Sequence, residues 1–397
     1  MQLTQRVVNL EPSATLAVSA RAKQLKAEGV DVVSFGAGEP DFDTPSHIKD
    51  AAKDALDAGD TKYPSPAAGI KPLKEAICEK FDRDNQLQYT PDQVVVGCGG
   101  KDVLYLAFQA LIDSGDEVLL PTPCWVSYAP QTRLAGGNPV FLPTTVEDGF
   151  KLRPETLRDS LSKRAKVLVI NSPCNPTGMA YSPDDLRALA DVVAETDLLV
   201  FSDEIYDHLM YTDFPFLSFA ATRPDMMDRT VTFNGLSKTY AMTGWRIGYA
   251  GGPKPLISAM ARLISQSTSG VASFCQTAAV TALRGDQGAV EQMRKEFVRR
   301  GEHMAGRLNA INGVTCLKPQ GAFYCFPDVS AHYGKPLAGK ECTNSLEFAR
   351  IVLEEANVAL VPGGPFGADS NVRLSFATSM AQIDKGLDRL QNILTAK

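Results

Sequence analysis

Histidine is scarce in this 397-residue chain: there are four, at positions 47, 208, 303 and 332. No HExxH pair occurs, and histidine and cysteine do not cluster, so no zinc site is expected. Tryptophan occurs only twice. The eight cysteines form no CxxC pair; free thiols in a reducing cytoplasm are expected. Excess positive charge is also missing. The formal net charge is −6, which argues against a nucleic-acid partner, since that would want a basic face. Long apolar runs are absent. The longest, from Val103 to Phe108, is far short of the ~18 residues of a membrane helix. The opening segment has no basic patch followed by an apolar core, so no secretory signal is expected. Glycine and proline show no period, which excludes collagen-like and low-complexity chains.

What is present is an ordinary globular composition, with 44% hydrophobic and 22% charged residues. The length suits two or three domains. Residues 14–28 have the spacing of an amphipathic helix, with Ser13 as its cap and Gly29 as its end. A short strand is expected at 32–35. Seven short apolar runs follow, at 94–96, 118–120, 140–142, 167–170, 198–201, 231–233 and 247–250. They are bounded by Gly, Pro, Asp or Asn, as strands buried on both faces are. Helical segments at 102–113, 156–164 and 183–195 alternate with them. That alternation predicts an α/β unit with a largely parallel sheet. From about residue 290 the pattern changes. A charged helix (289–311) precedes a strand at 322–326, a helix near 344–356, strands at 358–361 and 372–376, and a helix near 380–394. A smaller α+β unit is expected there.

Ligands of open α/β sheets sit beyond the carboxyl ends of the strands. After the 94–96 run comes Gly97-Cys98-Gly99-Gly100-Lys101-Asp102 and then a helix, a turn able to present free amides to a phosphate. Asp102 breaks the GxGxxG pattern, and the P-loop pattern fails as well. After 167–170 comes Asn175, held before a proline. After 198–201 comes Asp203, a carboxylate that is costly at a buried strand end without a cationic partner. After 231–233 comes Lys238, in a segment poor in other charges, as an imine-forming amine would be. A phosphate turn, an Asn, an Asp, a Tyr, a Lys and an Arg thus gather at one sheet edge. Pyridoxal phosphate asks for this set.

The motifs NPTG (175–178), SDEIY (202–206) and SKTYAMTGWRIGY (237–249) resemble those of the class I aminotransferases among the fold type I pyridoxal-phosphate enzymes. AGEPDFDTP (37–45), GGK (99–101), CWVSY (124–128) and NVRLSFATS (371–379) extend the resemblance over essentially the whole chain. The bacterial aspartate aminotransferases are the most similar branch. The resemblance implies that Lys238 carries the cofactor and that Asp203 pairs with the pyridine nitrogen. Tyr206 and Asn175 would bond the phenolic oxygen, and Trp125 would stack on the ring. Gly99, Gly100, Lys101, Ser237 and Arg246 would hold the phosphate. Tyr63 would reach the phosphate of a neighbouring subunit, so a homodimer with shared sites is implied. Arg373 would clamp the substrate α-carboxylate beside Gly38, Trp125 and Asn175, and Lys101 with Thr15 would take a distal carboxylate. The substrates implied are an amino acid and a 2-oxo acid, most simply aspartate and 2-oxoglutarate.

The same resemblance implies a large cofactor-binding domain over 46–288 and a small domain from 1–45 and 289–397. Three positions depart from the family pattern. Gly235 stands where many relatives have a phosphate-binding serine. The Tyr63–Gly69 segment is one residue longer than usual. Glu11 stands where prephenate-accepting relatives carry lysine, so poor use of prephenate is expected. Other readings remain open: an aminotransferase of another specificity (aromatic, alanine or prephenate), a C–S lyase on the same fold, and a nicotinamide-dependent dehydrogenase, against which the missing GxGxxG counts.

Overall fold

The computed structural model describes residues 1–8, 10 and 14–395. All seven apolar runs of the middle region become strands of one sheet. They are β2 (Val94–Gly97), β3 (Glu117–Thr122), β4 (Asn138–Pro143), β5 (Ala165–Asn171), β6 (Leu199–Asp203), β7 (Thr230–Gly235) and β8 (Gly248–Gly251), after the short β1 (Val33–Ser34). Their spatial order is β2-β8-β7-β6-β5-β3-β4. All pairs are parallel except those of β8, which runs against both β2 and β7. Strands β2, β7 and β8 are buried along their whole length. This is why they read as continuous apolar runs without alternation. Strand β4 closes the open edge and leaves Phe141 48% exposed.

The expected helices are found at Gly100–Leu111, Pro183–Ala194, Gly288–Asn309, Ser345–Ala356 and Met380–Thr395. Pro183–Ala194 starts at a capping box in which Ser182 and Asp185 satisfy each other's backbone amides. The helix expected over 156–164 is shorter, Pro154–Asp159, because Ser162 turns aside to donate to Glu117 at 2.5 Å. The helix expected over 14–28 is found as Ala14–Ala27, but its apolar residues do not gather on one face, so the expected amphipathic pattern is not there. The helix ends before Gly29, whose φ of +86° suits glycine. Its expected cap, Ser13, lies outside the described residues, as does Glu11.

The rest of the chain forms two small sheets. Strand β1 pairs in parallel with β10 (Val358–Ala359), placing Val33 beside Val358. Strand β12 (Val372–Ser375) lies between β9 (Tyr324–Cys325) and β11 (Val361–Pro362), antiparallel to both. The single strand expected over 358–361 is therefore two strands in different sheets, parted at Leu360. A core built on Phe297, Phe323, Phe348 and Phe376 fills this region and takes in Val33 and Phe35 from near the other chain end. Among the described residues no helix is long and apolar enough to cross a membrane.

Candidate active site

The carboxyl ends of β2, β3, β5, β6 and β7 point to one edge of the sheet. Beyond it lies a cavity of about 530 Å³, roofed by β12 and the Ala14–Ala27 helix. Gly100, Lys101, Trp125, Asn175, Asp203, Tyr206, Ser237 and Lys238 line it because each ends or follows a strand that points to this edge. Arg246 arrives by a different route. It precedes β8, and since β8 is antiparallel its beginning lies at the same edge.

Asp203 is 6% exposed and next to Asn171 in the ladder. The Tyr128 hydroxyl donates to its Oδ2 at 2.6 Å. Burial pushes its pKa up to about 6 against the opposing pull of that bond and of Lys238. The Lys238 ammonium faces Asp203 from the turn after β7 and donates to the Gly38 carbonyl at 2.5 Å. Burial lowers its pKa to about 8, with Glu39 acting in the other direction and Arg373 and Arg246 in the same one. An amine near neutrality is nucleophilic and can move protons.

Arg373 comes from β12 and is 2% exposed. Its Nη1 donates to Asn175 Oδ1 at 2.9 Å and its Nη2 to the Gly36 carbonyl at 3.1 Å. The guanidinium lies 4.5 Å from the Tyr324 ring centre and 5.3 Å from that of Phe366. Its Nε is buried without a partner among the described residues. A planar fork held by aromatic faces, with donors to spare, suits a carboxylate. The Tyr206 hydroxyl meets that of Tyr324 at 3.0 Å. Burial raises the pKa of both, so each is a neutral donor near pH 7.

Gly99 has φ +92°, and a Cβ there would collide with the Arg246 guanidinium. The turn therefore needs glycine for conformation and for close approach. It leaves the Gly100 and Lys101 amides at the start of the Gly100–Leu111 helix without intrahelical acceptors. Asp102, the residue that spoils the dinucleotide pattern, closes this turn by accepting from the Cys98 amide at 2.7 Å. Arg246 donates to the Cys98 carbonyl at 3.2 Å. The Lys101 side chain rests over Trp125, its Nζ 5.0 Å from the ring centre.

Among the described residues, Gly99 and Tyr63 do not line the cavity. Tyr63 stands 87% exposed. Thr15 lies in the first helix, but its side chain is not among those described. Several cavity residues were not singled out from the sequence, Tyr128, Glu39, Asn171 and Tyr324 among them. Tyr128 was within reach, as the last residue of CWVSY. Glu39, which accepts from Thr243 at 2.7 Å, sits inside AGEPDFDTP. Asn171 donates to the Asp203 carbonyl at 2.9 Å, and Tyr324 looked only like part of a strand.

A fully buried polar network lies under the cavity floor. Lys80 from the Lys71–Asn85 helix pairs with Asp207, which also accepts from Asn234 at 2.8 Å. Asn85 joins Lys80 to Glu204, with bonds of 2.6 and 2.8 Å. Ser202 and Ser218 donate to the other oxygen of Glu204. The network ties the turn carrying Asp203 and Tyr206 to the turn carrying Lys238.

Residues 30–390 match the family described as aminotransferase class I and II. The chain belongs to that family, an enzyme class dependent on pyridoxal phosphate, and has its fold type I architecture. Among its relatives is an aspartate aminotransferase of Geobacillus stearothermophilus, 49% identical over 397 residues and covering 100% of both chains. An aspartate/prephenate aminotransferase of Cereibacter sphaeroides is 48% identical over 391 residues, 98% of each chain. The solved aspartate aminotransferase of Thermus thermophilus with maleate superposes with a TM-score of 0.93 at 44% identity, over 99% of this chain and 100% of that one.

Proposed function

We propose that this aminotransferase moves the amino group of aspartate to 2-oxoglutarate in two half-reactions. The observation that carries this reading is one cavity holding Asp203, Lys238, Arg373 and Lys101. Pyridoxal phosphate fits its residues. Asp203 is a buried carboxylate whose hydrogen bonds come from Tyr128 and the Ile205 amide, with no cation bonded to it. A protonated ring nitrogen supplies the missing charge. Gly99, Gly100, Lys101, Ser237 and Arg246 would hold the phosphate, Trp125 the ring face, and Tyr206 and Asn175 the phenolic oxygen. When bound, the cofactor supplies a carbonyl carbon for the amino group and an electron sink for the Cα–H bond.

The chain does the rest. Arg373 holds the α-carboxylate, with Gly38 alongside. Lys238 Nζ would take the proton from substrate Cα and hold it for return in the second half of the transfer. Lys101, at the open side of the phosphate turn, would take the distal carboxylate. The maleate of the Thermus relative, a dicarboxylate, supports a two-carboxylate site. Residues 1–45 and 289–397 would form a small domain closing on 46–288. The exposure of Tyr63 supports a homodimer in which it reaches the partner's phosphate site.

Three measurements test this. Aspartate alone should change the visible spectrum of the cofactor-loaded protein with release of stoichiometric oxaloacetate, and 2-oxoglutarate should reverse the change. Pyruvate and ammonia formed from cysteine-type substrates without an acceptor would point to a lyase instead. Arg373→Lys keeps the charge but loses the fork and the aromatic stack. It should lower kcat/KM for every amino acid alike by roughly ten- to hundredfold, as loss of a charged hydrogen bond does. A loss confined to acidic substrates would make Arg373 a side-chain selector. Lys101→Ala should cut kcat/KM for aspartate and glutamate by about ten- to hundredfold while sparing alanine and phenylalanine. Equal losses on all four would leave Lys101 as a phosphate-site residue only.

A further inference from the structure

The cavity carries more positive charge than the reading above uses. Lys23, Lys26, Lys101, Lys238, Arg246 and Arg373 line it, against Asp203 and Glu39, in a chain whose net charge is −6. Lys23 and Lys26 are the two without a task. Both lie on the Ala14–Ala27 helix, three residues apart and so on one face. Both are exposed. Among the described residues neither has an ion-pair or hydrogen-bond partner. The nearby Glu28 accepts from Gln24 instead. Two unpaired like charges at this spacing cost a helix a few tenths of a kcal/mol, and an anion between them reverses that sign.

Their direction is fixed by packing. Ala22, 2% exposed, sits in a small core with Val32 and Ala359. This seats the helix on β10 and β11 and leaves Lys23 and Lys26 at the cavity mouth. Strand β11 pairs with β12, which carries Arg373. The exposed lysines and the buried arginine therefore belong to one connected body. One marks the entrance to the cavity and the other its inner end.

We propose that Lys23 and Lys26 form a cationic rim that captures dicarboxylic substrates at the mouth, before Arg373 and Lys101 hold them. The inference rests on the aspartate and 2-oxoglutarate reading. A cleft lined by one sign of charge focuses its field and raises the local concentration of counter-ions. A dianion such as 2-oxoglutarate feels twice the pull that pyruvate does. The rim charges are exposed, so salt screens them, with a Debye length of about 10 Å at 0.1 M. Lys101 is exposed as well, but it rests over the Trp125 ring inside the cavity, where burial lowers its pKa, so salt screens it less. Salt dependence thus separates capture at the rim from recognition inside.

The test uses the cofactor-loaded enzyme with Lys23→Glu and Lys26→Glu combined, and the corresponding double glutamine variant. Because both side chains are exposed, the melting temperature should stay close to wild type. At low salt, kcat/KM for 2-oxoglutarate should fall roughly tenfold or more in the double Glu variant and by less than about threefold for pyruvate. The glutamine pair should show a smaller loss of the same selectivity. The gap should close at about 0.3 M salt, while saturating kcat stays near wild type. Calorimetric binding of succinate and propionate should show the same selectivity without turnover. Equal losses for mono- and dicarboxylates, a loss that salt does not relieve, or no loss would overturn the rim. A wild-type enzyme that does not prefer 2-oxoglutarate to pyruvate would overturn the specificity reading itself, and the rim with it.

Discussion

Lys238→Ala should leave a folded protein with turnover reduced by at least about 10⁴-fold, because on the proposed reading one side chain serves as both cofactor attachment and proton carrier. The fold should tolerate the change. The side chain's hydrogen bond is to the Gly38 carbonyl, and its ammonium is disfavoured by burial. The sign follows from the pKa, lowered from 10.5 to about 8. Below pH 8 the folded wild type bears the cost of a buried ammonium. Above it that cost fades, and it is gone near pH 10.5. The cofactor-free variant should therefore match or exceed the wild-type melting temperature at pH 7, with the difference shrinking as pH rises towards 10. Wild-type turnover in the variant would remove Lys238 from the reaction.

Asp203→Asn should separate stability from function. With cofactor bound, kcat should fall by roughly 10²–10³-fold, the cost of losing one preorganised charge at the reacting group. A change confined to KM would contradict that role. Without cofactor the same variant should be more stable than wild type. The carboxyl has a folded pKa near 6, raised from 3.8, so folding opposes its ionised form. The wild type loses stability as pH climbs from 4 to 6, and the loss persists above. Asparagine escapes it and can still accept from Tyr128. The gain at pH 8 should be on the order of 3 kcal/mol and should vanish near pH 4. Glu204, its pKa pushed up to about 7 by burial, gives a similar slope in both proteins and cancels in the comparison. Equal denaturant midpoints at pH 8 would show that Asp203 is not a strained charge.

Both of these residues were legible in the sequence because each follows a β-branched strand whose period and boundaries are local. The seven-stranded sheet was legible for the same reason. What escaped depends on distant partners. Lys80 sits in a stretch, KEAICEKFDRDN, that looks like a solvated helix face, yet it is 2% exposed because Asp207 awaits it from another element. The Ser273–Arg284 helix is apolar on most sides and buried, so it shows no stripe for a periodicity to find. Strand β4 was visible, but not that it would be an edge. The split at Leu360 was invisible, since four apolar residues in a row do not say which of two sheets each will join. Tyr324 enters the site by stacking against Arg373, a contact across the small sheet that no local pattern announces.

The pairing of β1 with β10 also sets a timetable for biosynthesis. Val33 leaves the ribosome early, yet its ladder partner Val358 is among the last residues made. Closing so long a loop is slow and must wait for synthesis to end. The large sheet, complete by Gly251, is finished while β1, Phe35 and the Gly36 carbonyl that Arg373 needs still lack their partners. A nascent or prematurely terminated chain thus contains all seven strands of the large sheet before Arg373 is made. A chain that ends before β12 lacks Arg373 and the strand that joins β9 to β11.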